Sequence, residues 1–145
     1  MRIVLQRVKR ASVSVNANIT GSIDKGILIL LGIHSSDTPK QADYLAEKCA
    51  ALRIFPDENG KMNRSLSDNG GRALVVSQFT LYGDCSHGRR PNFTEAAGAE
   101  KGRDLYLYFV EKLGALVGKV ETGVFGAMMD VELINDGPVT IILDA

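Results

Sequence analysis

The stretch "ALVVSQFTLYG", residues 73–83, changes character in mid-run. Ala73, Leu74, Val75 and Val76 suit a buried strand, and Ser77, Gln78 and Thr80 then place two hydroxyls and a carboxamide in the same apolar segment. Such groups can orient an ester or polarise its carbonyl, but none is a base that would activate a hydroxyl. A strand leaving a core also carries Ser or Thr merely to bond nearby backbone, so both readings stand on these residues alone. Two further stretches carry chemistry. "HGRRPNF", residues 87–93, sets Arg89, Arg90 and Phe93 within five positions, enough to hold a phosphate and stack a base, or simply to form a solvated loop with an aromatic anchor. "NDGPVT", residues 135–140, puts Gly137-Pro138 before a strand, as a functional dipeptide or as a plain turn. His34 and His87 lack Cys or acidic neighbours at ligand spacing, so no zinc pattern is present. No GxGxxG, P-loop or Gly-x-Ser-x-Gly elbow occurs.

The elements that must position these residues follow from periodicity. "MRIVLQRVKRASVSV" alternates as one or two strands with Arg2, Gln6 and Arg7 off the core face, and "NANITGS" supplies the turn. "GILILLGI", residues 26–33, is a continuous aliphatic run suited to a central strand covered on both faces. "SSDTPKQADYLAEKCAALRIF" opens with cap-type residues and Pro39, and spaces Ala42, Leu45, Ala46, Cys49 and Leu52 along one helical face. "PDENGKMNRSLSDNGG" reads as loop and hairpin. The second half repeats the order: a strand "RALVVSQF", a polar loop, and a helix from about Thr94 to Val117. That repetition is compatible with an internal structural duplication, although the halves share negligible identity. In the tail, "MDVELI" and "VTIIL" read as two strands joined by the turn "NDGP". The expected fold is α+β: a mixed, largely antiparallel, barrel-like sheet carrying two main helices, in one domain spanning residues 1–145.

Composition limits the partners. Seventeen Lys+Arg balance seventeen Asp+Glu, so no global positive field exists to hold a long duplex, and any nucleic-acid contact must be local. Two cysteines, Cys49 and Cys85, are too few for a disulfide framework and fit a reducing compartment. Neither a secretion signal nor a membrane span is visible, which gives a soluble, cytoplasmic reading.

The pair "SQFTLYG" and "N-x-G-P-V-T", in that order, resembles the signature pair of the D-aminoacyl-tRNA deacylases, and the likeness extends through "MRxVxQRV", "GRRPNF" and "VFGAMM". The resemblance implies a homodimeric hydrolase with its active site at the interface. It would cleave the ester between a D-amino acid, or mischarged glycine, and the tRNA 3′ end, with no metal or organic cofactor. It implies a catalytic group of Ser77, Gln78, Phe79 and Thr80. Gly137 and Pro138 would be a cis dipeptide reaching into the partner's pocket to select chirality, locked by Arg7, with Phe125, Met128 and Met129 packing around substrate; core packing is the alternative for these last three. Arg89, Arg90 and Phe93 would meet tRNA. Of two mechanisms, water attack assisted by the substrate's own 2′-OH is preferred to attack by Thr80, for want of a base. A non-catalytic tRNA 3′-end binding module is the alternative function, and an oligomeric scaffold a third.

Overall fold

A computed structural model describes residues 1–145. The N-terminal segment is one 14-residue strand, β1 (Arg2–Val15). Asn16 and Ala17, at φ 50° and 63°, turn it tightly into β2 (Asn18–Ile23), as a two-residue hairpin connection requires. β3 (Gly26–Gly32) returns along β1, and α1 (Pro39–Ala51) follows. Thr38 caps α1, its N–H donating to Gln41 Oε1 at 2.9 Å, and Pro39 occupies a first-turn position where no N–H is needed. A small hairpin, β4 (Phe55–Pro56) with β5 (Met62–Arg64), and a short helix, α2 (Leu66–Asn69), fill the punctuated region. β6 (Arg72–Ser77) runs parallel to β3, and after α3 (Ala99–Val117), β7 (Val120–Thr122) runs parallel to β6. β8 (Asp130–Asp144) closes the chain antiparallel to β1.

The sheet order is β2-β1-β3-β6-β7, with β8 also on β1, and it curls into a nearly closed barrel. A Cβ on Gly21 of β2 would stand 2.6 Å from the Thr122 carbonyl of β7, so the absence of a side chain is what lets these distant strands meet. Two cores explain the unbroken aliphatic runs. Ile27, Ile29, Leu31, Ala73 and Val75 face α1 and α3, where Leu45, Cys49, Phe109 and Leu113 are buried, while Leu28, Leu74 and Val76 face the interior of the curl with Val8 and Val13. Strands covered on both faces lose the period-2 signal and become solid hydrophobic runs.

Three expectations change. "RALVVSQF" stops being a strand at Ser77, and Phe79–Tyr82 forms a 3-10 turn. The second long helix begins at Ala99, not near Thr94: the Ala97 N–H bonds Ile33 O at 2.9 Å and Glu95 O accepts from Ser35 N–H at 2.9 Å, so residues 94–98 are tied to the end of β3 and cannot wind. "NDGP" is not a turn between two strands. It lies inside the single strand β8 as a bulge.

Candidate active site

β6 and β3 run side by side until Ser77 pairs with Leu31, and Gln78 N–H then donates to Leu31 O at 2.8 Å. The chain folds over Gly32 into the 3-10 turn. A Cβ on Gly32 would lie 3.1 Å from both Gln78 O and Leu81 Cβ, so a side chain there would push the turn off its seat. Ser77 and Gln78 are half-buried, whereas Phe79 and Thr80 are exposed. The Gln78 side-chain amide donates to Thr80 Oγ1. Because a carboxamide donates but does not accept a proton as a base, this bond fixes the hydroxyl without activating it.

Beside the strand end lies a cavity of about 440 Å³. Ser77, Gln78 and Phe79 line one side, the segment leading into α3 contributes Ala97 and the first turn of α3 contributes Ala99 and Gly102, and the segment after β7 contributes Phe125, Met128 and Met129. Its size and mostly apolar lining, with a few polar groups at one end, suit a small aromatic or nucleoside-like ligand. Phe125 leans on Tyr106 with ring centroids 5.7 Å apart, and Tyr106 OH donates to Val75 O at 2.8 Å. Burial pushes the Tyr106 hydroxyl up to about 12, so it serves as a neutral strut. Met129 packs against the curl's core, whereas Met128 is 92% exposed, which rules out core packing for that residue. A larger hollow, about 580 Å³ across Arg10, Ser12, Arg72 and Glu132, contains none of the residues singled out from the sequence.

The basic loop is anchored next to this cavity. Asp84 and Asn92 exchange backbone bonds of 2.8 and 2.9 Å, closing a loop whose exposed tip carries Arg89 and Arg90. The Asp84 carboxyl is held below its ordinary range by the Ser86 N–H. Phe93 meets Phe79 edge-on at 5.1 Å, so the structure joins Phe93 to the site while the two arginines project into solvent.

Arg7, Gly137 and Pro138 form a separate group that does not line their own chain's cavity. Between the pairs Gln6–Thr140 and Val8–Asn135, β1 contributes one residue, Arg7, and β8 four, 136 to 139. The extra residues bulge outward, leaving Gly137 and the cis-bonded Pro138 exposed. Arg7 grips the bulge: its Nε donates to Asp136 O at 3.0 Å and lies 3.1 Å from Asp136 Oδ2, and its Nη1 donates to Ile54 O. Asn135 Nδ2 spans the base of the bulge, donating to Arg7 O at 3.1 Å and Val139 O at 3.0 Å. Sequence reasoning missed Asn135 as a brace, Gly32 as the turn's seat, and Ala97, Ala99 and Gly102 as cavity wall. The glycine of "LLGI" offered a signal, but small residues at a helix start offered none.

Comparison with known proteins follows the same span. The family model described as D-Tyr-tRNA(Tyr) deacylase matches residues 4–144. Relatives named D-aminoacyl-tRNA deacylase include that of Koribacter versatilis, 58% identical over 145 residues with 100% of this chain and 97% of the relative covered. That of Thermus aquaticus is 59% identical over 145 residues, covering 100% of this chain and 95% of the relative. Among solved structures, the c-Myc DNA Unwinding Element Binding Protein superposes with a TM-score of 0.95 at 40% identity, covering 100% of this chain and 99% of that one. A probable eukaryotic D-amino acid tRNA deacylase gives a TM-score of 0.87 at 18% identity, covering 99% and 98%, a likeness of fold.

Proposed function

The chain belongs to the D-Tyr-tRNA(Tyr) deacylase family, and from that premise we propose that it hydrolyses the ester joining a D-amino acid, or mischarged glycine, to the 3′-terminal adenosine of tRNA. The observation that carries the reading is the polar strand end opening on an apolar cavity: Ser77, Gln78 and Phe79 stand at its wall, and the exposed Thr80 hydroxyl, outside that lining, is held by Gln78. The strand turns polar at Ser77 because there it stops serving the core and starts serving substrate.

An aminoacyl ester is already activated, so the enzyme has to orient a nucleophile and stabilise an oxyanion. The N–H groups of Phe79 and Thr80 open the 3-10 turn, where the i→i+3 pattern supplies no acceptor within the turn. They and the Thr80 hydroxyl polarise the carbonyl. Thr80 has an amide for a neighbour and no base, so attack by water assisted by the terminal 2′-OH is favoured over a Thr80 ester. Phe125 and Met129 pack around the adenosine, and Phe93 with Arg89 and Arg90 meets the neighbouring nucleotides.

Chirality is read by exclusion. The exposed Gly137-Pro138 bulge, held by Arg7 and Asn135 and absent from the lining of its own cavity, would enter the cavity of a second copy in a homodimer. Backbone carbonyls of the dipeptide would bind the α-ammonium and occupy the space of an L side chain, so L-aminoacyl esters are rejected by clash and glycine passes. Such proofreading belongs in the cytoplasm, where charged tRNA is used. Turnover separates this from a tRNA-end binding module: the enzyme frees many equivalents of D-tyrosine from D-tyrosyl-tRNA, whereas a binder protects the ester or leaves it at its spontaneous rate.

A further inference from the structure

We propose that Arg2 and Tyr82 are positioning residues for this reaction, clamping the 3-10 turn on its Gly32 seat so that the Thr80 hydroxyl meets the ester; the inference rests on the reading of Thr80 given above. Arg2 Nη1 donates to Leu81 O at 3.3 Å, a direct hold on the turn's backbone. Its guanidinium lies 5.4 Å from the centroid of the Tyr82 ring, the last residue of the same turn. The guanidinium is itself fixed, Nε donating to Asp144 Oδ1 at 2.7 Å on β8.

Tyr82 also meets the ring of His34, centroids 5.2 Å apart. His34 cannot swing freely, because its N–H donates to the buried Asp37 Oδ2 at 2.7 Å and its Nδ1 bonds Ser36 Oγ at 2.7 Å. Burial, with Asp37 second, pushes the Tyr82 hydroxyl up to about 12. Tyr82 therefore offers a neutral ring to be gripped, not a base. Underneath, Gly32 sets the height: an added Cβ would stand 3.1 Å from Gln78 O, 3.1 Å from Leu81 Cβ and 3.3 Å from Tyr82 Cδ2. The turn is thus held at its C-terminal half by Arg2 of β1, itself fixed by β8, and by the Gly32 seat of β3. In its N-terminal half Phe79 meets Phe93, and Thr80 is held by Gln78 and by the Gly83 N–H, which bonds Thr80 O at 2.9 Å.

The test is a kinetic cycle on D-tyrosyl-tRNA with Arg2→Ala, Thr80→Ala and the double variant, each checked by circular dichroism for an unchanged fold. A misplacement of the order of an ångström costs up to about a hundredfold in rate, so Arg2→Ala should lower kcat about tenfold with KM within about twofold. In the Thr80→Ala background the same change should cost less than about threefold, because the group it positions is gone. Gly32→Ala, which leaves every charge in place, should reproduce the selective loss of kcat. Tyr82→Phe should keep most of the rate and Tyr82→Leu should not. An unchanged kcat for Arg2→Ala, a rise in KM alone, or losses that multiply in the double variant would each overturn the clamp while leaving the hydrolase reading intact. No turnover by the unsubstituted protein would instead overturn the hydrolase reading, and a full rate for Thr80→Ala would overturn the role given to Thr80 and the clamp with it.

Discussion

At the scale of single residues, the account turns on a hydroxyl that has a hydrogen-bond donor for company. Gln78 donates to Thr80 Oγ1, which leaves the Thr80 proton free to be donated to substrate. Thr80→Ser should therefore keep most of the activity, and Thr80→Ala should lower kcat by about a hundredfold or more, the scale of losing one oxyanion donor. A tRNA ending in 2′-deoxyadenosine should be hydrolysed far more slowly. An acyl group trapped on Thr80, detected by intact mass, would contradict this assignment, as would a full rate on the deoxy substrate. Ser77, Gln78 and Thr80 were legible in the sequence because they break an aliphatic run. Arg2 and Tyr82 were not, since an arginine and a tyrosine at strand and loop ends announce nothing until the turn is seen between them.

Elements were legible where one local rule governed them. α1 starts at Pro39 after a Thr38 cap, as its sequence dictates, and the buried residues Ala42, Leu45, Ala46 and Cys49 fall on the expected face. Burial pushes the Cys49 thiol up to about 12, which makes it an inert part of the core. α3 and β8 were misjudged because long-range bonds override local signals. Thr94 and Glu95 look like a helix start, but their segment is bonded to the end of β3, and "NDGP" looks like a turn, but β1 pairs with β8 on both sides of it. The short helix α2 gives a pH prediction. The Ser65 N–H and hydroxyl bond Asp68 Oδ2 at 2.9 and 2.7 Å and hold its carboxyl below the ordinary range. A depressed folded pKa stabilises above the unfolded value of about 3.9 and ceases to do so as pH falls through the folded value. Thermal midpoints should thus decline below about pH 4, and Asp68→Asn should lower the midpoint at pH 7 and make its acid dependence shallower. Parallel acid profiles for the two proteins would remove Asp68 from the explanation.

The whole molecule joins its first strand to its last, and this pairing presents the Gly137-Pro138 bulge outward, away from its own cavity. A net charge of zero leaves recognition to local groups, which agrees with the proposed hold on the tRNA end and not along its length. Sharing of sites between copies can be tested with two inactive variants: Thr80→Tyr, which blocks a cavity, and Gly137→Val, whose Cβ would collide with Asn135 Oδ1 and spoil the bulge. Co-refolding them should make about half the dimers mixed, with half of those sites intact, restoring about a quarter of the activity. No recovery, with mixed dimers confirmed by mass, would reject the sharing of sites between copies and leave the dimer as scaffolding. The central claim, a site that opens esters of D but not L residues, is met most directly by one tube holding equal amounts of D-tyrosyl-tRNA and L-tyrosyl-tRNA, differently labelled, with catalytic protein. The account predicts that D-tyrosine is released over many turnovers while the L-ester decays only at its spontaneous rate. Equal release from both, or release from neither, would contradict it.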